Sequence, residues 1–153
     1  MLEIKKSEIN GRGVFTKNKL NKGEKVFKFA DKIIMIKHTE ECDCHICCRC
    51  INLKNNFWLY PYKNSFGWYL NHSCNPNCYS KGKNIYSLKK ISKNSEITID
   101  FSTTNIDNKW KMVCHCGSTN CRSIIRSVQY LPRKLFKKHK NYMQPFIKNS
   151  YLS

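Results

Sequence analysis

The sequence lacks long hydrophobic runs. No stretch approaches the ~18 consecutive apolar residues of a membrane-spanning helix, and the opening MLEIKKSEING holds no apolar segment of signal-peptide length. The expectation is a soluble, intracellular protein made without export and with no membrane partner. Acidic residues are scarce: ten Asp and Glu stand against 28 Lys and Arg, for a formal net charge of +18. Such a chain has little acidic surface to hold basic partners, and its field favours polyanions such as nucleic acid. A lysine-rich composition with a merely solvated surface accounts for the charge equally well, so charge alone implies affinity and not function. Internal repeats and long linkers are also absent, and 153 residues suggest one domain. That length buries roughly two thirds of the unfolded chain's surface, enough for a core.

Cysteine, by contrast, is abundant, at ten residues. In a chain that is not exported, this density points to metal thiolates or buried thiols rather than disulfides. The apolar runs are short: KVFKFA from Lys25, IIMI from Ile33, CINL from Cys50, FWLY from Phe57, IYSL from Ile85 and EITIDF from Glu96. Turn formers separate them, at Asn21-Lys22-Gly23, Lys63-Asn64-Ser65 and Lys81–Asn84, so the chain reads as strand-dominated. One segment, LPRKLFKKHKNYM, has helical spacing. Pro132 suits a first turn, and Leu135, Phe136, His139 and Tyr142 or Met143 fall on one face as a packing stripe. Arg133, Lys134, Lys137, Lys138 and Lys140 lie opposite, as a solvated face or a nucleic-acid contact.

Three constellations carry chemistry. In VCHCGSTNCR, Cys114, Cys116 and Cys121 place three thiols in eight residues, with Gly117 permitting the turn between them. Three thiolates need a fourth ligand to close a tetrahedral structural zinc site. Cys74 or Cys78 of WYLNHSCNPNC is the natural supplier, and His115, beside two ligands, is expected to point away. Gly11-Arg12-Gly13 lets backbone approach a ligand closely, although a Gly-x-Gly alone is usually a turn. NSEITIDFSTT is a strand that carries Glu96 and Asp100 and reaches Phe101.

Taken in order, these motifs resemble the SET-domain family of protein lysine methyltransferases. The resemblance rests on Gly11-Arg12-Gly13-Val14-Phe15, Lys22-Gly23-Glu24, Asn71-His72-Ser73-Cys74-Asn75-Pro76-Asn77 and Glu96-Ile97-Thr98-Ile99-Asp100-Phe101. It extends through Cys114-His115-Cys116-Gly117 and Asn120-Cys121-Arg122, which look like the family's post-SET zinc motif. The fold it implies is mainly β (β-rich α+β): small curved sheets with a pseudoknot-like threading of the Asn-His segment and the last strand. The implied division is a SET domain over 1–108 with a variable insert at about 38–66, a zinc-bound post-SET segment over 109–126, and a basic, partly helical tail over 127–153.

The resemblance implies S-adenosyl-L-methionine as methyl donor, held by Gly11, Arg12, Gly13, Asn71 and His72. It implies Zn²⁺ on Cys74, Cys114, Cys116 and Cys121, which leaves Cys78 as a small buried hydrophobe. The partner it implies is a protein with a target lysine, expected to be a histone, with DNA or nucleosome contact through the basic surface. The location is then nuclear or chromatin-associated in a eukaryotic or viral setting, and otherwise cytoplasmic or delivered to a host.

Several positions depart from the family pattern. Phe101 stands where the family usually has a tyrosine whose hydroxyl lies near the transferring methyl. Loss of such a donor is worth ~10²–10³ in rate, unless another hydroxyl, for which Tyr69 is the candidate, substitutes. Ile99 and Trp68 replace a more usual aromatic residue and an arginine. The insert carries ECDCHICCRC, whose Cys44-x-x-Cys47 with His45 reads as a second zinc site or as a thiol-rich loop. Glu40, Glu41 and Asp43 form an acidic cluster there that suits a basic substrate tail. The leading expectation is a lysine methyltransferase. The alternatives are a catalytically weak or inactive SET module that binds a protein or chromatin, and a plain zinc-dependent nucleic-acid binder.

Overall fold

The computed structural model describes residues 1–29, 31–35, 49–54 and 56–152. Within them the strands are β1 (Leu2–Lys6), β2 (Arg12–Thr16), β3 (Lys25–Lys28), β4 (Asp31–Met35), β5 (Ile51–Lys54) and β6 (Phe57–Pro61). They continue as β7 (Asn71–His72), β8 (Cys78–Lys81), β9 (Asn84–Ser87), β10 (Thr98–Ile99), β11 (Lys111–Val113) and β12 (Ile124–Arg126). Two helices, α1 (Arg133–His139) and α2 (Pro145–Leu152), close the chain.

The strands form small sheets. β1 and β2 pair antiparallel, from Leu2↔Thr16 to Lys6↔Arg12. β3-β9-β8 and β4-β6-β5 are three-stranded and antiparallel. β7 and β10 pair in parallel, Asn71 beside Thr98 and His72 beside Ile99. This pairing brings the Asn-His segment against the last strand of the EITIDF run.

Three apolar clusters organise the interior. The largest holds Val14, Phe27, Leu59, Ile85, Ile97 and Ile99. The second gathers Cys74, Trp110, Cys114, Cys116 and Ile125, and the partly buried Phe101 packs against both. The third, of Val128, Leu131, Phe136, Met143 and Ile147, seats the two helices. Each fully buried aliphatic side chain contributes roughly 1.5–3 kcal/mol, so short strands hold together through shared cores.

The β-rich expectation holds, with differences in detail. EITIDF is extended for only two paired residues, because the Asp100 carboxylate accepts the Ser102 N–H and turns Phe101–Thr104 into a 3-10 turn. The stripe at Phe136, His139 and Met143 is buried as expected. The helix stops at His139, however, and a second helix begins at Pro145 and packs Tyr151 on Phe136 at 3.7 Å between ring centroids. Its sequence, PFIKNSYL, is too polar to show as a periodic pattern. No helix among the described residues is long and apolar enough to cross a membrane.

Candidate active site

The bend after β7 is built by side chains that complete backbone pairing. The Asn75 N–H donates to Ser73 Oγ at 3.1 Å, and Pro76 carries the chain round to Asn77. The Asn77 amide then takes the place of a neighbouring strand: Oδ1 accepts the Thr98 N–H at 2.9 Å and Nδ2 donates to the Glu96 carbonyl at 2.7 Å. The Ser73 N–H donates to the Ile99 carbonyl at 3.0 Å. β10 is thereby held between the two ends of one short loop.

Asn71 and Glu96 form a second junction. Asn71 Nδ2 lies 2.7 Å from Glu96 Oε1, 3.2 Å from Ser7 Oγ, 3.2 Å from the Asn10 carbonyl and 3.1 Å from the Arg12 carbonyl. Its two hydrogens are shared among these acceptors. Ser7 Oγ also donates to the Glu96 carboxylate, with O···O distances of 2.9 and 2.8 Å. Gly13 fits here because it has no side chain: a Cβ there would lie 2.1 Å from Glu96 Oε1. Gly11 takes the left-handed conformation (φ +49°) in the bend before β2. Arg12 is exposed, and its guanidinium stands 5.0 Å over the Tyr69 ring.

His72 is buried, which pushes its pKa down to about 4; Asp100 opposes the shift and Arg122 adds to it. The ring is therefore neutral at pH 7. Nδ1 accepts the Phe101 N–H at 3.1 Å, so the ring proton sits on Nε2, which faces Cys74 Sγ at 3.3 Å.

The four cysteines named from the motif converge. The Sγ atoms of Cys74, Cys114, Cys116 and Cys121 lie within 4.8 Å of one another. Cys74–Cys114 is 3.8 Å and Cys121–Cys114 is 3.7 Å, near the ~3.8 Å edge of a tetrahedron with Zn–S bonds of about 2.3 Å. Gly117 takes φ +69°, a conformation glycine reaches without a Cβ penalty. Cys78, the other candidate from the bend, lies in the largest core at 1% exposure, and burial pushes its thiol up to about 12. Cys42, Cys44, Cys47 and Cys48, with His45, Glu40, Glu41 and Asp43, lie outside the described residues; Cys50 is buried.

Arg122 joins the thiolates to the strand. Its backbone N–H and Nε both donate to Cys74 Sγ at 3.3 Å. Nη2 donates to Asp100 Oδ1 at 2.7 Å, and Nη1 reaches Ser102 Oγ at 3.2 Å. Asp100 is 2% exposed. Sequence reading quoted Arg122, Glu96 and Asn77 inside motifs without giving them roles, and it passed over Ser7 and Arg49. Only the many-residue separations in these contacts identify them.

A cleft of about 330 Å³ opens between these elements. One side is Ile9, Asn10, Leu70, Asn71, His72 and Phe101; the other is Met112–Cys116, with Arg49 at the edge. A volume in this range, lined by polar and apolar groups together, suits a small molecule. Of the sequence-named residues, Asn71, His72, Phe101, Cys114, His115 and Cys116 line it. Gly11, Arg12, Gly13 and Tyr69 stand outside that lining, the first three tied to it through Asn10 and Asn71. A small void of about 10 Å³, lined by Phe29, Cys50, Ile51, Gly67 and Ile99, adjoins the cleft and shares Arg49, Leu70 and Phe101 with it.

A SET-domain family model matches residues 11–102. Among curated proteins, the histone-lysine N-methyltransferase trithorax of Drosophila virilis is 28% identical over 134 residues, covering 78% of this chain and 3% of its own. The histone-lysine N-methyltransferase NSD3 of Mus musculus is 28% identical over 141 residues, covering 80% of this chain and 10% of its own. The chain thus spans a small part of the length of these relatives. A crystal structure of a Plasmodium falciparum chain assigned as a histone methyltransferase superposes with a TM-score of 0.52 at 26% identity, over 66% of this chain and 96% of that one.

Proposed function

The chain belongs to the SET-domain family, whose relatives above are named histone-lysine N-methyltransferases, and we propose that it transfers methyl groups from S-adenosyl-L-methionine to a lysine of a protein, with histones as the substrate class. The observation that carries this reading is the cleft of about 330 Å³ between the Asn71-His72 strand end and Met112–Cys116, with the four converging cysteines behind that second wall. The residues fit the donor. Asn71 and His72 offer polar contacts, the backbone of Gly11–Gly13 adjoins the rim, and Ile9, Leu70 and Met112 supply apolar surface. Zinc fits the four thiols by their spacing. Loaded, it would fasten Met112–Cys116 as one wall of the cleft.

When bound, the donor supplies a methyl on a sulfonium. Held by Asn71, His72 and the backbone beside them, it would give that methyl to a lysine amine and would itself leave as a neutral thioether. The amine must arrive without its proton, which costs about 4 kcal/mol for a free lysine at pH 7.4. Apolar surroundings at the amine, to which Leu70 and Phe101 would contribute, lower that cost by disfavouring the ammonium. His72, held neutral between Phe101 and Cys74, orients the strand end.

One observation favours a second reading, a weak or inactive module that binds chromatin. Phe101 has no hydroxyl, and Tyr69 stands outside the cleft lining. Transfer of labelled methyl to nucleosomes and free histones, with Phe101→Tyr in parallel, separates the two. Labelling by the natural protein supports the enzyme. Labelling by Phe101→Tyr alone supports the weakened module, and labelling by neither removes the enzyme reading.

A histone substrate places the protein at chromatin, and the basic surface there would hold DNA. Arg133, Lys134, Lys137 and Lys138 are exposed on α1, and no acidic residue follows Asp107. DNA affinity should fall with salt by a log–log slope of about −0.9 per phosphate neutralised; a flat response would sink this contact.

A further inference from the structure

The C-terminal helices close a small cavity of about 10 Å³ that shares no lining residue with the cleft. Asp100 and Thr103 line it from the strand end, His139, Tyr142 and Met143 from α1 and the turn after it, and Cys78 from β8. Two of these residues each hold a buried polar atom with no hydrogen-bond partner among the described residues: Asp100 Oδ2 and His139 Nε2. Asp100 is 2% exposed and His139 5%, so bulk solvent does not serve them. The other oxygen of Asp100 is committed to the site. Oδ1 accepts the Ser102 N–H at 3.0 Å and Arg122 Nη2 at 2.7 Å, and His72 Nδ1 lies 3.6 Å away. One carboxylate thus has one oxygen held by the site and the other left for the tail.

Buried polar atoms are nearly always paired, and an orphaned one is costly where the surroundings are apolar. The cavity is close in size to what a single water needs, and a buried water needs two to four polar partners. Burial lowers the His139 pKa, against the pull of Asp100 and with that of Lys138 and Arg122, so the ring is neutral at pH 7. A neutral ring makes no ion pair with the carboxylate, which leaves a hydrogen-bonded bridge.

We propose that this cavity is the site of one structural water that joins Asp100 Oδ2 to His139 Nε2, and that His139 acts through it as a positioning residue for the strand end at Phe101. The water donates to the carboxylate and shares its second hydrogen bond with the ring, as donor or acceptor according to which nitrogen carries the proton. Asp100 precedes Phe101, whose N–H is bound by His72 and whose side chain lines the cleft. A carboxylate free to turn would therefore disturb Phe101 and His72 together. The tail has other anchors: the Val128 N–H donates to the Asn105 carbonyl at 3.0 Å, and Tyr142 packs on Tyr79 with ring centroids 4.8 Å apart. Loss of the imidazole alone thus leaves the helices seated. The effect on methyl-donor binding rests on the donor-site reading above; the water site does not.

The test uses the zinc-loaded full chain in its natural form, as His139→Gln, which still hydrogen-bonds to water, and as His139→Leu, which does not. A crystal structure fine enough to show waters should place one within hydrogen-bond distance of both atoms in the natural protein. A direct His139–Asp100 contact, or a cavity without water, overturns the proposal. In the absence of ligand, the amide NMR signals of Phe101 and Ser102 should move in His139→Leu and stay near their natural positions in His139→Gln. Calorimetric titration with S-adenosyl-L-methionine should give a Kd about fivefold weaker in His139→Leu, with most of the loss recovered in His139→Gln. A lower Tm with unmoved signals and unchanged Kd would make His139 merely structural and overturn its positioning role. If the natural protein binds no donor, the donor-site reading fails, while the water and the amide signals still decide this inference. Should His139→Leu not fold, His139→Asn, whose side chain is too short to reach the water, takes its place with the same expected outcome.

Discussion

Arg122→Met should be among the most damaging single substitutions outside the hydrophobic cores. Arg122 donates to Asp100 at 2.7 Å, and Asp100 is 2% exposed with Oδ2 lacking a hydrogen-bond partner. The remaining support for Oδ1 is the Ser102 N–H at 3.0 Å, because the neighbouring His72 is neutral at pH 7. Removing the guanidinium leaves a carboxylate in the interior without its counter-charge, a change that costs about 3–5 kcal/mol. For a chain of this length that corresponds to a fall in Tm of roughly 6–20 °C. The penalty comes from the stranded charge, so Asp100→Asn added to Arg122→Met should recover much of it. The assay is thermal and urea unfolding in excess zinc of both single variants and the double. A coupling of at least ~2 kcal/mol is expected. Arg122→Lys should fall between, since an ammonium keeps the charge but cannot span Asp100, Ser102 and Cys74 together. Additive single effects, or a loss below about 1 kcal/mol for Arg122→Met, would refute the reasoning and reduce the pair to a surface-type contact.

Removing zinc with a chelator, or changing Cys114→Ser, should release residues 109–126 to protease and abolish donor binding, because Met112–Cys116 form one wall of the cleft. Intact binding after complete metal loss, checked by metal analysis, would separate the cluster from the cleft. Gly13→Ala should cost ~1–3 kcal/mol and weaken donor binding. Its Cβ meets the Glu96 carboxylate that Ser7 and Asn71 pin in place, and urea unfolding reads the cost. His139 is buried with its pKa lowered by burial, against the pull of Asp100. A histidine kept neutral when folded takes up protons on unfolding, so its contribution is present above pH ~6.5 and is lost as pH falls below that value. His139→Gln should therefore flatten the acid side of the stability–pH curve; an unchanged slope would show that the ring titrates freely.

Much of this protein was determined by its sequence alone. Cys114, Cys116 and Cys121 read as a candidate ligand set because thiols two and five residues apart can converge once Gly117 turns the chain. The Asn71–Asn77 bend follows from Asn, Ser and Pro chemistry that acts over two or three bonds of backbone. The apolar runs of β3 and β9 mark strands because one face of each is buried, and FWLY of β6 marks one as a short run of aromatic and apolar residues. Short-range geometry of this kind is written in adjacent letters.

Other features required the chain to fold back on itself. Cys74 and Cys78 are equivalent as sequence, yet one Sγ stands 3.8 Å from Cys114 and the other lies in the largest core, because the bend ends between them and β8 begins at Cys78. Glu96 explains Gly13 across more than eighty residues, and Arg122 explains Asp100 across 22. Helix α2 has no strong periodicity and exists because Ile147 and Tyr151 find Val128 and Phe136 to cover. Arg49 sits in a stretch that reads as a cysteine-rich insert, and only the tertiary structure sets its guanidinium where cleft and void meet. Charge, burial and close approach between distant segments depend on where the backbone goes, and no spacing rule along the chain carries that.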